Sequence, residues 1–331
     1  MEKINRLISY VDEIKQLNGS SAAALRVIHK GSVVLDHYSG SSPGKERPIS
    51  QASQFHVASA RKSYLALALS YAIYEGKIGS LDDAAALHFP DMNQKLLEKT
   101  AIRHLATHTH GLDERDGEIY REFAAGTNWS YTNTGVKMIA ELIHKVYGRP
   151  FTLLLKEKVF NALGFRETGW RTDPNEDMVE VILKPGETVL PIGGTDSGME
   201  GNLFVSAREF AAWGYLHLRQ GFMKGKQIIP KEVVDVAVSF QSPPGLNRDL
   251  PENGIFWYVQ KKGTLFSELG EKVPGGSYQI LGNTGPTLLV IPAYDLVVAK
   301  MYNKKYNFGG DRYLHYLREF SNLAAETFAP G

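Results

Sequence analysis

The spacing of hydrophobic and polar positions predicts helices at both ends of the chain and strands beside them. Residues 4–17 have the spacing of an amphipathic helix, and a final helix is expected over 311–327. Apolar runs at 22–28 and 32–37 flank the turn His29-Lys30-Gly31, which indicates a β-hairpin. Later apolar runs predict strands over 255–261, 277–281, 287–291 and 296–302. Because sequential hairpins join antiparallel neighbours, we expect an antiparallel sheet rather than a doubly wound parallel one.

The middle of the chain has mainly helical patterns. The run from Ser59 to about Tyr74 is apolar on nearly every side and stops at Gly76, which predicts a buried central helix. Further helices are expected over 94–107, 116–124, 134–147, 150–160 and 207–220. The predicted fold is therefore α+β, with an antiparallel sheet flanked by N- and C-terminal helices and an inserted helical lobe. We assign residues 1–60 plus 195–331 to a sheet domain and 61–194 to a helical domain, with the active-site cleft between them.

Composition narrows the class of protein without identifying its chemistry. The 331 residues are 43% hydrophobic, enough for a large core, and a net charge of +1 gives no reason to expect nucleic-acid or membrane partners. The absence of cysteine excludes disulfides, thiolate catalysis and zinc–thiolate sites. No apolar run reaches membrane-spanning length, so we expect a cytoplasmic protein. A mature exported chain would look the same after removal of its signal.

The most informative motif is Ser59-Ala60-Arg61-Lys62 at the head of the central helix. A spacing of three residues puts hydroxyl and amine on one helix face, where the amine can help remove the hydroxyl proton. The helix start adds unpaired backbone N–H groups that favour an oxyanion. Alternatively, Ser59 is only an N-cap and Lys62 a solvated first-turn residue. The apolar segment 55–58 before the motif favours a buried lysine, which needs partners.

A second segment, Tyr131-Thr132-Asn133, precedes the predicted helix over 134–147. Thr132 or Asn133 would suit an N-cap, and Tyr131 could be an ordinary core residue. The functional alternative brings the Tyr131 hydroxyl close to Ser59 and Lys62, where it could shuttle a proton. Asn133 would then offer its amide to a substrate carbonyl or to Lys62.

Together, Ser59-x-x-Lys62 and Tyr131-x-Asn133 resemble the motifs of the serine β-lactamase and penicillin-binding-protein superfamily. The resemblance is to its class C-like branch, which also holds family VIII carboxylesterases and 6-aminohexanoate-oligomer hydrolases. Segments 102–112 and 201–210 also match, and the likeness spans about residues 20–303. It implies a β-lactamase/transpeptidase-like fold that uses no cofactor or metal. It also implies Ser59 as the nucleophile and Lys62 with Tyr131 as the base.

The family's Lys-Thr-Gly strand motif has two candidate positions here. Asn283-Thr284-Gly285 is followed by Pro286, which lacks the N–H that the family uses at this point. Counting back from Pro292 selects Ile280-Leu281-Gly282, which is followed by Asn283. The resemblance then implies an oxyanion hole made by the N–H groups of Ser59 and Asn283, with Gly282 beside the substrate. Alternatively, 277–283 is simply a core strand.

Two residues depart from the family pattern. Ile280 stands where a basic residue normally pairs with the carboxylate of β-lactams and D-alanyl peptides, which favours a substrate that is neutral at that point. His110 replaces the serine of the family's His-Thr-Ser-Gly segment, with no consequence that the sequence reveals.

Two other patterns suggest different chemistry. Gly40-Ser41-Ser42-Pro43-Gly44 matches the G-x-S-x-G nucleophile elbow, but the prolines and charges around it predict a loop. His104, His108 and His110 have a spacing that could hold a metal, although a structural role at a helix end fits them better.

The sequence therefore predicts a serine hydrolase that forms an acyl-enzyme with a small-molecule carboxylic ester or amide. The alternatives are a DD-peptidase or weak β-lactamase, a non-catalytic binder with the same cleft, and a metal-dependent hydrolase that uses the histidines.

Overall fold

The computed structural model describes residues 2–44, 47–305 and 312–330. Its helices are α1 (Glu2–Leu17), α2 (Lys62–Tyr74), α3 (Ala85–His88), α4 (Ile102–Ala106), α5 (Thr134–Tyr147), α6 (Phe151–Leu155), α7 (Asn161–Leu163), α8 (Ala207–Leu218), α9 (Lys231–Val238) and α10 (Tyr313–Phe328). Short 3₁₀ turns cover Ala58–Arg61 and Pro292–Tyr294, and a π-helical turn covers Lys156–Phe160. The strands are β1 (Ala22–His29), β2 (Ser32–Gly40), β3 (Gln54–His56), β4 (Leu112–Arg115), β5 (Glu118–Arg121), β6 (Gly169–Trp170), β7 (Val181–Lys184), β8 (Glu187–Val189), β9 (Leu203–Ser206), β10 (Phe222–Met223), β11 (Lys226–Gln227), β12 (Tyr258–Gln260), β13 (Ser277–Leu281), β14 (Thr287–Ile291) and β15 (Leu296–Tyr302).

The main sheet has six antiparallel strands in the order β12-β13-β14-β15-β1-β2. Strands from both ends of the chain meet where β1 pairs with β15, with Val27 opposite Val298. The hairpin between β1 and β2 turns through Lys30 and Gly31, both at positive φ, as the sequence predicted. The α+β fold with an antiparallel sheet is confirmed.

The two faces of this sheet pack against different helices. Leu296 and Val298 of β15 lie in a core shared with α1 and α10. Val297 and Ala299 point the other way, into a larger core that includes α8 and α2. Alternate side chains of β15 therefore belong to two separate cores, because neighbouring side chains of a strand point to opposite faces.

Between β3 and β9 the described chain forms helices α2 to α7 and two short hairpins, β4-β5 and β7-β8. Helix α2 is buried along most of its length, as its apolar sequence predicted. The division of the chain into domains at residues 60/61 and 194/195 stays a prediction. None of the described helices is long and apolar enough to cross a bilayer.

Several sequence-based element predictions were wrong. The helix expected over 116–124 is the second strand of a hairpin, in which Ile119 lies opposite Glu114. Asp116 and Gly117 turn this hairpin at positive φ, and Asp-Gly is the turn signal that the helical interpretation overlooked. The helix expected over 94–107 shrinks to α4, and the strand expected over 255–261 shrinks to β12. The predicted start of the last helix, Asp311, lies outside the described residues.

Candidate active site

The candidate nucleophile follows directly from a paired strand. β3 pairs with β9, and the next residue, Val57, donates its N–H to the Leu203 carbonyl at 3.1 Å. Ala58 then takes φ +47°, a left-handed conformation that costs a non-glycine residue about 1 kcal/mol. This turn places Ser59 at the N-terminal end of the central helix, with a half-buried side chain.

Lys62 is the first residue of α2 and is only 1% exposed. Its Nζ atom donates to Ser59 Oγ at 3.0 Å and to Tyr131 Oη at 2.6 Å. Burial lowers the pKa of Lys62 well below its usual value, and the nearby charge of Arg61 lowers it further. The interpretation of Lys62 as a solvated residue is therefore wrong, and the lowered pKa favours the neutral amine, the form that can accept a proton.

Tyr131 reaches this pair from the segment between β5 and α5. Although 43% of the residue is exposed, its hydroxyl meets the buried Lys62 amine. Burial raises the pKa of Tyr131 to about 12, and the neighbouring Ser59 hydroxyl acts in the opposite direction. Tyr131 is therefore a neutral phenol at pH 7, able to pass on a proton but not an anionic base.

Two of the three histidines support the Tyr131 segment. His108 is buried at φ +58°, its carbonyl accepts the Ser130 N–H at 3.0 Å, and its ring lies 4.7 Å from that of Tyr131. His110 accepts the Leu112 N–H at 2.9 Å through Nδ1. A Cβ at Gly135 would lie 2.7 Å from His110 Nε2, so the start of α5 packs tightly on this ring. These contacts fix the approach of Tyr131 to Lys62.

His104 instead stabilises the start of α4, where its Nδ1 accepts the Ala101 N–H at 3.0 Å. Within the described part of the chain, no group of three or more histidine, aspartate or glutamate side chains could hold a metal ion.

A buried carboxyl group behind the site was missed from the sequence. Glu268 is 9% exposed, and burial raises its pKa to about 8. Tyr258 shares a hydrogen bond with Glu268. The negative charge of ionised Glu268 contributes to the raised pKa of Tyr131. Glu268 lies in the loop between β12 and β13, which has no periodic pattern from which its burial could be predicted.

Asn133 lies outside this hydrogen-bonded group. It is the residue before α5 and is exposed, and its side chain does not cap that helix. The expected contact with Lys62 is absent from the hydrogen bonds of the described residues, in which Lys62 Nζ meets only Ser59 and Tyr131. A contact between Asn133 and a substrate stays a prediction.

Gly282, directly after β13, packs against Val57 and Ala58 in the nucleophile segment, residues 57–62. A Cβ added to Gly282 would lie 2.2 Å from the Val57 carbonyl oxygen, so no other residue fits without backbone movement. Gly285, by contrast, only closes the turn between β13 and β14, where its N–H donates to the Gly282 carbonyl. The assignment of the strand motif to Ile280-Leu281-Gly282 rather than Asn283-Thr284-Gly285 stays a prediction.

This approach puts Asn283 next to the residues that lead into Ser59. Thr284 Oγ1 ties the same turn to the His56 carbonyl at 2.7 Å. The Asn283 N–H donates to no acceptor among the described residues. Ile280 is 2% exposed and lies in the larger core.

The G-x-S-x-G match has no elbow geometry. Gly40 ends β2, and Ser42 is buried with its Oγ accepting the Glu180 N–H at 3.0 Å. No helix follows it among residues 41–44 and 47–53.

Comparison with known proteins gives a consistent family. The family model described as Beta-lactamase matches residues 8–321. An uncharacterized protein of Alkalihalophilus pseudofirmus is 39% identical over 97% of this chain and 95% of its own length. Penicillin-binding protein 4* of Bacillus subtilis is 26% identical over 50% of this chain and 40% of its own length. A solved class C beta-lactamase superposes with a TM-score of 0.79 at 15% identity, covering 100% of this chain and 97% of that one.

Proposed function

The chain belongs to the beta-lactamase family, and we propose that it is a serine hydrolase that works through an acyl-enzyme on Ser59. Its substrate, in this proposal, is a carboxylic ester or a small amide. The supporting observation is the Lys62 Nζ atom, which lies 3.0 Å from Ser59 Oγ and 2.6 Å from Tyr131 Oη. One buried amine therefore links the attacking hydroxyl to a phenol that can pass a proton on.

In the proposed acylation, Ser59 Oγ attacks the substrate carbonyl carbon while its proton passes to Lys62 Nζ. The lowered pKa of Lys62 and the raised pKa of Tyr131 support Lys62 as the acceptor. Tyr131 gives its proton to the leaving oxygen or nitrogen and takes one from Lys62. Both groups are then neutral again, and the serine carries the acyl group. Water activated by the same pair releases the acid.

The proposed oxyanion hole consists of the Ser59 and Asn283 N–H groups. The contact of Gly282 with the Val57 carbonyl supports it, because that contact brings the next residue, Asn283, to the nucleophile segment. Two backbone donors in a half-buried cleft would stabilise the developing negative charge at little reorganisation cost.

The substrate class rests on Ile280. An aliphatic, buried side chain at this position cannot pair with a carboxylate, which weighs against β-lactams and D-alanyl peptides. The class C beta-lactamase neighbours favour the second candidate, a β-lactamase-type activity, through fold alone.

The test is hydrolysis of p-nitrophenyl butyrate by the wild type and by Ser59→Ala. We expect Ser59→Ala to lose at least about 10³-fold in kcat/KM, because removing a nucleophile disables the whole catalytic unit. Ser42→Ala is the matched control, since it removes the serine of the G-x-S-x-G match, and it should retain activity. Equal rates for wild type and Ser59→Ala would eliminate the mechanism.

The same samples separate the candidate functions. Mass spectrometry after incubation with activated esters or penicillin should show an acyl adduct on Ser59 from esters and little from penicillin. A stable penicillin adduct would favour the β-lactamase or penicillin-binding alternative, and no adduct of any kind would favour the non-catalytic binder.

A further inference from the structure

Arg61, inside the Ser59-to-Lys62 motif, is a half-buried cation with no partner. None of the described residues accepts a hydrogen bond from its guanidinium or forms an ion pair with it. Other partly buried arginines are satisfied: Arg103 pairs with Asp82 at 2.8 Å, and Arg121 donates to Thr100 Oγ1 at 2.8 Å. A guanidinium carries five donors, so leaving all of them without an acceptor in a cleft is unfavourable.

Arg61 is half-buried and stands between Ser59 and Lys62 in the sequence. None of the guanidinium nitrogen atoms of Arg61 is fully buried, so these donors keep contact with solvent. Its charge lowers the pKa of both Lys62 and Tyr131, which places it beside the proposed catalytic groups. It is therefore in a position to meet a bound substrate.

The exposed Gly201 lies near Arg61, because a Cβ added to it would lie 4.0 Å from Arg61 Nε, an ordinary van der Waals distance. The adjacent carboxylate, Glu200, does not neutralise Arg61. It accepts the Gly194 and Thr195 N–H groups at 2.9 and 3.2 Å and is held within its own loop.

We propose that Arg61 is a carboxylate-binding residue and that the preferred substrate is an ester or amide bearing a carboxylate group. The inference rests on the proposed function, since it deepens the substrate class of the same site. The planar guanidinium fork fits a carboxylate through two parallel hydrogen bonds. Ile280 supplies no cation from the strand, so in this proposal Arg61 supplies it instead. The substrate carboxylate would then bind beside Arg61 and not beside Ile280.

The test compares anionic and neutral esters of similar size. Mono-p-nitrophenyl succinate carries a carboxylate on the acyl part, 4-acetoxybenzoate carries one on the leaving group, and p-nitrophenyl butyrate and phenyl acetate are their neutral partners. In Arg61→Met, we expect the anionic-to-neutral ratio of kcat/KM to fall about 10- to 100-fold for one of the two pairs. Arg61→Lys should fall between Arg61→Met and the wild type, because it keeps the charge and loses the fork.

The control is Arg6→Met, which removes the same charge from an exposed position on α1 and should leave the ratio unchanged. A parallel fall for anionic and neutral esters in Arg61→Met, with a shifted pH–rate profile, would overturn the proposal. Arg61 would then act only through the pKa of Lys62.

Binding separates failure of this inference from failure of the proposed function. Equilibrium dialysis of mono-p-nitrophenyl succinate against Ser59→Ala and Ser59→Ala/Arg61→Met should show at least tenfold weaker binding by the double variant. If the wild type hydrolyses no ester but this difference is present, Arg61 binds carboxylates and only the hydrolase proposal fails. Equal binding by both variants overturns the carboxylate site.

Discussion

Two buried lysines lie on opposite sides of the main sheet in opposite chemical situations. Lys62, in the candidate active site, meets two hydroxyl groups at 3.0 and 2.6 Å. Lys300 of β15 faces α10 and is 5% exposed, with its Nζ atom 4.3 Å from the centre of the Phe320 ring. No described residue accepts a hydrogen bond from Lys300. Burial lowers its pKa to about 7.

The difference shows that a lowered lysine pKa reports burial and does not by itself mark an active site. Burial is the main cause of the shift for both lysines. Of the two lysines, only Lys62 has the proposed nucleophile and the proposed proton relay within hydrogen-bonding distance. The arrangement of partners therefore distinguishes a catalytic amine from an isolated one.

Exchanging each lysine for methionine gives the largest expected contrast. Lys62→Met should lower kcat/KM for p-nitrophenyl butyrate by about 10³-fold or more, because no group remains to take the Ser59 proton. Lys300→Met should stay within about threefold of the wild type. Steady-state kinetics with both purified variants measures the contrast, and circular dichroism checks that each is folded. Similar activity of the two variants would contradict the assignment of Lys62.

Much of the Lys62 site was predictable because its central pair is local. Ser59 and Lys62 are three residues apart on one helix, so their meeting follows from helical geometry. Tyr131 is 69 positions from Lys62, and no local rule brings the two together. Its assignment needed the family resemblance. Arg61 stood in the same motif, but whether a charged side chain has a partner depends on distant segments.

A substitution at Gly282, which leaves both lysines in place, tests the proposed oxyanion hole. Gly282→Ala should lower kcat/KM by about 10²-fold, because its Cβ would lie 2.2 Å from the Val57 carbonyl and push Asn283 away. The KM should change less than kcat, since the loss falls mainly on transition-state stabilisation. Gly275→Ala is the matched control, because there a Cβ would meet its nearest atom at an ordinary 3.4 Å.

Full activity of Gly282→Ala would show that the proposed oxyanion hole lies elsewhere. Loss of activity with normal labelling of Ser59 by a fluorophosphonate would also count against it, because the probe's phosphoryl oxygen needs the same donors.

The sheet was more predictable than the helical region for a physical reason. Strands such as β14 and β15 are apolar and separated by a clear turn, so their pairing agrees with local preference. The hairpin of β4 and β5 is short and polar, and its pairing is decided by the Asp116-Gly117 turn. The burial of Lys300 could have been predicted from the sequence, because alternation along β15 puts it on the same face as Leu296 and Val298.

The smallest expected effect is the change in stability that is linked to the titration of Lys300. Its folded pKa of about 7 lies below the usual 10.5, so between these pH values the unfolded chain binds more protons than the folded one. The free energy of unfolding of the wild type should therefore rise from pH 7 to pH 10 relative to Lys300→Met, in which this group is missing. Below pH 7 the largely buried charged amine has no hydrogen-bond acceptor and only the Phe320 and Tyr302 rings to stabilise it, so Lys300→Met should be more stable by about 1–3 kcal/mol.

Urea denaturation of both proteins at pH 6, 8 and 10 measures this difference, since all other titrating groups are shared. The advantage of Lys300→Met should shrink as the pH rises, because the wild-type amine loses its charge. Parallel pH dependences would mean that Lys300 is solvated or paired in solution. The pKa of Lys300 would then not be lowered by burial, and the contrast between the two lysines would vanish.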